Sequence, residues 1–83
     1  MTSTPTTDAD RTFTAERIRK ARERHLGMTQ RELAIALEVE QVSVSRWERG
    51  VAEPKTRYVR AIADLAELPV KWFHPPDDAE AIA

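Results

Sequence analysis

The sequence predicts an all-α fold: a compact five-helix domain with disordered termini. Three observations carry this expectation. Apolar residues recur at three- and four-residue spacing in short segments bounded by capping residues, Gly or Pro. No stretch alternates apolar and polar residues for long enough to support a sheet. The 83 residues allow one domain with a small core.

Residues 1–12, rich in Thr, Ser and Asp, are expected to be disordered. The first helix is expected to begin at FTAERI, with Thr14 as N-cap and Phe13 and Ile18 as a hydrophobic staple. Ile18, Ala21, Arg22 and His25 share one of its faces, and Leu26 and Gly27 end it. The second helix should run from about Gln30 to Leu37. Thr29 caps it, and Glu32 three residues later completes a capping box, with Met28 and Leu33 as the staple across it. A turn through Glu38, Val39 and Glu40 leads to a third helix, Gln41 to Arg49. That helix buries Val44 and Trp47, three apart on one face, and stops at Gly50. Its other side shows Gln41, Val42, Ser45 and Arg46, a hydrogen-bonding set with one small apolar residue and no acid. Two short helices joined by so tight a turn outline a helix-turn-helix with a presentable recognition helix.

Pro54 interrupts the loop VAEPKT, and Thr56 can cap a fourth helix reaching about Ala66. Val59, Ile62, Ala63 and Ala66 give it a core-facing stripe that Leu65 and Leu68 widen. Pro69 suits the first turn of a short fifth helix, Pro69 to Phe73. The domain is therefore set at 13–73, with 74–83 as a disordered acidic tail.

Composition narrows the function. Without cysteine there are no disulfides and no thiolate metal sites. MTSTPTTDAD is not a secretory signal, and no apolar run approaches membrane-spanning length, so a cytoplasmic protein is expected. The formal net charge is −1, but it is unevenly spread. Residues 11–60 hold twelve Lys/Arg against seven Asp/Glu, while both ends are acidic. A basic middle between acidic ends is compatible with phosphate binding on one face.

MTQRELAIAL followed by VSVSRWERG resembles the Cro/repressor-type (XRE-like) helix-turn-helix family, shared by phage repressors and many small bacterial regulators. The likeness covers roughly Arg17 to Phe73. It implies sequence-specific binding of double-stranded operator DNA in the major groove and transcriptional regulation, as a phage or bacterial repressor. It also implies that Gln30 touches phosphate and braces Gln41, which pairs with an adenine edge. A carboxamide suits that task, because its donor and acceptor match adenine N6 and N7. Arg46 can grip guanine O6 and N7, or else pair with Glu40 or Glu53 as a surface cation. Val42 can meet a thymine methyl, and Ser43 and Ser45 can reach phosphate or base. Thr29, Arg49, Lys55, Thr56 and Arg57 complete the expected DNA-binding set, the last four around a loop that straddles the DNA backbone in the family. By the same resemblance, Arg22 and Glu48 form a buried ion pair with a structural role, beside the structural Val44 and Trp47.

Three features depart from the family pattern. The interhelix turn often carries glycine at a positive φ, where this chain has Glu38; either holding it there costs on the order of 1 kcal/mol or the turn differs. Glu40 replaces the usual Ser/Thr cap of the recognition helix. The connection between the first two helices is one residue longer than in many members. No catalytic grouping, phosphate loop or metal-ligand spacing is visible, so no enzyme activity, metal or cofactor is expected. The competing function is protein interaction, as an antitoxin or a repressor-like adaptor. Leu68, Val70, Trp72 and Phe73 are the expected contact surface for a second copy, forming a weak or DNA-induced dimer, although Trp72 and Phe73 can instead close the core.

Overall fold

The computed structural model describes residues 8–76, which build four α-helices and a closing 3₁₀ turn. They are α1 (Asp8–Lys20), α2 (Gln30–Leu37), α3 (Gln41–Glu48) and α4 (Thr56–Ala66). A π-helical segment, Ala21–Leu26, continues α1, and the 3₁₀ turn spans Val70–Phe73. The all-α expectation holds. The fifth helix is a single 3₁₀ turn, with Pro69 in extended conformation before it. Residues 1–7 and 77–83, parts of the two expected disordered ends, lie outside the described residues.

The start of α1 corrects the expected boundary at residue 13. Residues 8–12 are helical, and Thr14 is an interior, buried helix residue, not an N-cap. The reason is packing. The backbone oxygen of Arg11 comes within 3.9 Å of where a Cβ on Gly50 would stand, so α1 extends alongside the end of α3. Ala15 and Ile18 bury themselves from the same helix. A neighbouring surface supplies what the polar composition of this segment could not.

At its other end α1 widens. The N–H groups of Gly27 and Met28 both bond the Arg22 oxygen, one of them at the five-residue spacing of a π-turn. Gly27, at φ 63°, then turns the chain toward α2.

The core lies where all four helices and the 3₁₀ turn converge. Ile18, Leu33, Val44, Val59, Ile62 and Phe73 are its largest fully buried side chains. The expected stripe of α4 is borne out for Val59, Ile62 and Ala63, while Leu65 is exposed. Thr56 does not cap that helix: Lys55 holds the N-cap position without a side-chain bond, and Thr56 is the first helical residue.

Phe73 is fully buried, so it cannot belong to a contact surface for a second copy. Trp72 meets it edge-to-face at 5.0 Å, and Leu68, Val70 and Trp72 are half-buried. Among the described residues, no helix is long and apolar enough to cross a membrane.

Candidate nucleic-acid interface

Backbone capping sets the positions of α2 and α3. Thr29 Oγ1 accepts from the Glu32 N–H at 3.1 Å, and the Thr29 N–H donates to Glu32 Oε1 at 2.9 Å, completing the expected capping box. Helix α2 ends on Glu38, at φ 60° and ψ 43°. Val39 N–H bonds the Ala34 oxygen and Glu38 N–H the Ile35 oxygen, the paired bonds of a Schellman motif. Glutamate thus occupies the left-handed position, as the sequence forces it to. Helix α3 ends the same way, with Gly50 at φ 73°, Val51 bonding Arg46 and Gly50 bonding Trp47. Glu40 precedes α3 without any side-chain cap; only its backbone oxygen is used, by Ser43 N–H.

These caps fix the roll of α3. Val44 and Trp47 point into the core, while Gln41, Val42 and Arg46 are exposed within an arc of about 140° on the opposite side. Among the described residues Arg46 makes no ion pair, with Glu40, Glu53 or any other acid. Ser43 and Ser45 are half-buried, and Ser45 Oγ accepts from Arg49 Nε at 3.3 Å. Lys55, Thr56 and Arg57 are exposed around the start of α4. The Arg57 guanidinium lies 4.9 Å from the Tyr58 ring and donates to its hydroxyl at 3.2 Å. Tyr58 in turn packs against Trp47, centroid to centroid at 5.4 Å, tying this corner to the recognition helix.

Behind the face lies a buried ion pair. Arg22 Nε and its NH2 group donate to the two oxygens of Glu48 at 2.6 and 2.9 Å. A third Arg22 bond, at 2.9 Å, goes to the Met28 oxygen. The side chain of Glu48 is 4% exposed and that of Arg22 11%. The bond to Glu48 raises the Arg22 pKa above its ordinary value; burial opposes this, and the charges of Glu48 and Glu23 reinforce it. The end of α1, the entry to α2 and the end of α3 are pinned to one guanidinium.

Gln30 differs from the expected brace on Gln41. Its Nε2 donates to Glu48 Oε1 at 3.0 Å, so its amide is turned toward the ion pair. No spacing rule predicts a bond between residues eighteen apart across two helices, and the sequence carried no sign of it. Val51, 60% exposed just beyond Gly50, is a further apolar residue on the loop that the sequence reading passed over. Among the described residues no cluster of His, Cys, Asp or Glu is placed to hold a metal ion.

Known proteins resemble this chain in sequence and in fold. Over 58 residues, 70% of this chain, the sequence is 44% identical to the HTH-type transcriptional regulator DicA of Escherichia coli strain K12. The match spans 42% of that relative's length. A hypothetical transcription factor, NHTF from Neisseria, shares the fold with a TM-score of 0.70 at 18% identity, over 99% of this chain and 94% of that one. An HTH_3 family transcriptional regulator from Vibrio cholerae shares it with a TM-score of 0.67 at 20% identity, over 81% and 38% of the respective chains. A family model described as helix-turn-helix, HTH_3, matches residues 18–73, and the chain belongs to that family.

Proposed function

We propose that this chain is a sequence-specific reader of double-stranded DNA that regulates transcription as a repressor, with α3 in the major groove. One observation carries the reading: a helix whose inner side is locked by Val44 and Trp47 presents Gln41, Val42 and Arg46 outward. Gln41 suits an adenine edge, Arg46 a guanine edge and Val42 a thymine methyl. Arg49, Lys55, Thr56 and Arg57 suit the phosphates on either side, where contacts orient the protein without reading sequence. The transcriptional role of DicA supports the same direction.

One domain presents one such helix, enough for a half-site of a few base pairs. Two copies about 34 Å apart, one turn of DNA, would read a palindrome. With Phe73 withdrawn into the core, Leu68, Val70 and Trp72 remain as the surface for pairing, small enough that DNA should bring the copies together.

Selection of bound duplexes from a random pool tests the reading. A recurrent motif should emerge, with affinity falling steeply as salt rises. Failure to enrich any sequence, with equal affinity for selected and scrambled duplexes, would sink it. Sedimentation of the free protein and of its DNA complex tests the pairing, which a single bound copy on a full palindrome would exclude.

A further inference from the structure

Beside the 3₁₀ turn lies an open cavity of about 550 Å³, within the range that holds one small-molecule ligand. Phe13, Pro69 and Trp72 supply apolar wall, and Arg17, Lys71 and His74 supply the polar groups. Among the described residues no acid lines it. Apolar walls with two cations and no acid suit a ligand with an apolar body and a negative head.

Arg17 is the centre of this arrangement. Its guanidinium carbon stands 4.7 Å from the Phe13 ring centroid and 4.5 Å from that of Trp72. Ring contacts occupy the faces of a guanidinium and leave its N–H edge to donate. None of those N–H groups meets an acceptor among the described residues, in contrast to Arg22, whose donors are spent on Glu48 and Met28. Arg17 is half-buried, so it has given up part of its water without gaining a hydrogen bond. A carboxylate completes it, because its two oxygens match the guanidinium edge bidentately.

We propose that this cavity binds a small carboxylic acid with an aromatic or aliphatic body. The carboxylate bonds the Arg17 edge beside Lys71, and the body lies on Phe13, Pro69 and Trp72. A peptide is a poorer match. Among the described residues there is no strand edge for it to extend, and a docked helix needs an apolar groove spanning several of its turns. None of these residues belongs to the proposed DNA-contact set, so the site does not depend on that reading. Trp72 is shared with the surface offered for pairing, so ligand and second copy compete for it.

Titration calorimetry of the full chain with phenylacetate tests the site. Binding should saturate, with a midpoint of about 1 mM or below. Phenylacetamide lacks the anion and acetate lacks the body; each should bind about tenfold more weakly, or worse. Arg17→Met keeps an apolar stem without the donors and should lose about tenfold. Lys71→Glu, at an exposed position, sets an acid in the cavity and should lose at least as much. Thermal melting shows which variants are folded, and Lys71→Glu decides alone if Arg17→Met is not. Equal affinity for phenylacetate and phenylacetamide, or binding that Lys71→Glu leaves intact, would overturn the proposal. Binding only after Asp77, Asp78 and Glu80 are changed to their amides would overturn it too, making the chain's own acids the occupant. So would binding confined to dilutions at which sedimentation shows single copies, which makes the occupant a second copy. A short acidic peptide saturating a site that phenylacetate leaves empty would make it a docking groove instead.

Discussion

Arg17 and Arg22 stand five residues apart on one continuous helix and are held in opposite ways. Arg22 is nearly buried and spends its donors on Glu48 and the Met28 oxygen, at 2.6 to 2.9 Å. Arg17 lies between two rings, 4.7 Å from the centroid of Phe13 and 4.5 Å from that of Trp72. The first arrangement is directional: each N–H has one acceptor, and moving any of three segments breaks a bond. The second is not, because a ring face tolerates sliding and the cation keeps access to water. The hydrogen-bonded arginine therefore sits where helices must keep a fixed angle, behind the proposed DNA face. The stacked arginine sits at the far end, where the chain only has to close. Arg46 is a third case, with no ion pair among the described residues, and its charge is left for a partner.

The sharpest way to break this contrast is Glu48→Ala. Stranding the buried Arg22 should cost about 3–5 kcal/mol, read as a large drop in urea midpoint. The double change Arg22→Met with Glu48→Leu should recover most of it, because no buried charge is left alone. A single change costing under about 1 kcal/mol would show that the pair is solvated. Next in size, Arg46→Ala and Gln41→Ala should each weaken binding to the selected duplex by about 1–3 kcal/mol, with melting barely altered. Titration against scrambled DNA separates them: Gln41→Ala removes no charge and should spare non-specific affinity. Arg17→Ala should cost only about 0.5–1 kcal/mol, seen as a small shift in melting temperature. A loss matching that of Glu48→Ala would erase the distinction between the two arginines. Smallest is Arg19→Ala, which removes an exposed 3.3 Å pair with Glu23 and should change stability by about 0.3–0.5 kcal/mol.

Local rules made the centre of the molecule legible. Thr29 and Glu32 announce a capping box, and Val44 and Trp47, three apart, fix which side of α3 is buried; both lie within a few residues of their partners. Arg22 and Glu48 are twenty-six residues apart, and only a family resemblance could pair them. The partner of Gln30 is just as remote: Glu48 lies eighteen residues on, and only the packing of α2 against α3 brings the two together. The helix start failed differently. Residues 8–12 carry little apolar signal, and their helicity depends on lying against the end of α3. Left-handed glutamates are the remaining difficulty. Glu38 was expected from a glycine-bearing turn in relatives, whereas Glu67, at φ 59° in a matching cap at the end of α4, had no such guide.

The widened turn at Ala21–Leu26 bears on how a chain like this can change its length. In an ordinary helix an inserted residue rotates everything beyond it by about 100°. Ahead of this segment Ala15 and Ile18 face the core; within it Arg22 must still meet Glu48. The π-helical stretch absorbs a residue without passing the rotation on, so it works as an expansion joint between α1 and the helices that follow. Removing exposed Arg24 should let the turn tighten, leaving a domain that still melts cooperatively. The same deletion inside α3 would swing Gln41 and Arg46 out of step with Val44 and Trp47. A one-residue deletion is therefore expected to be tolerated within Ala21–Leu26 and to misalign the exposed face within α3.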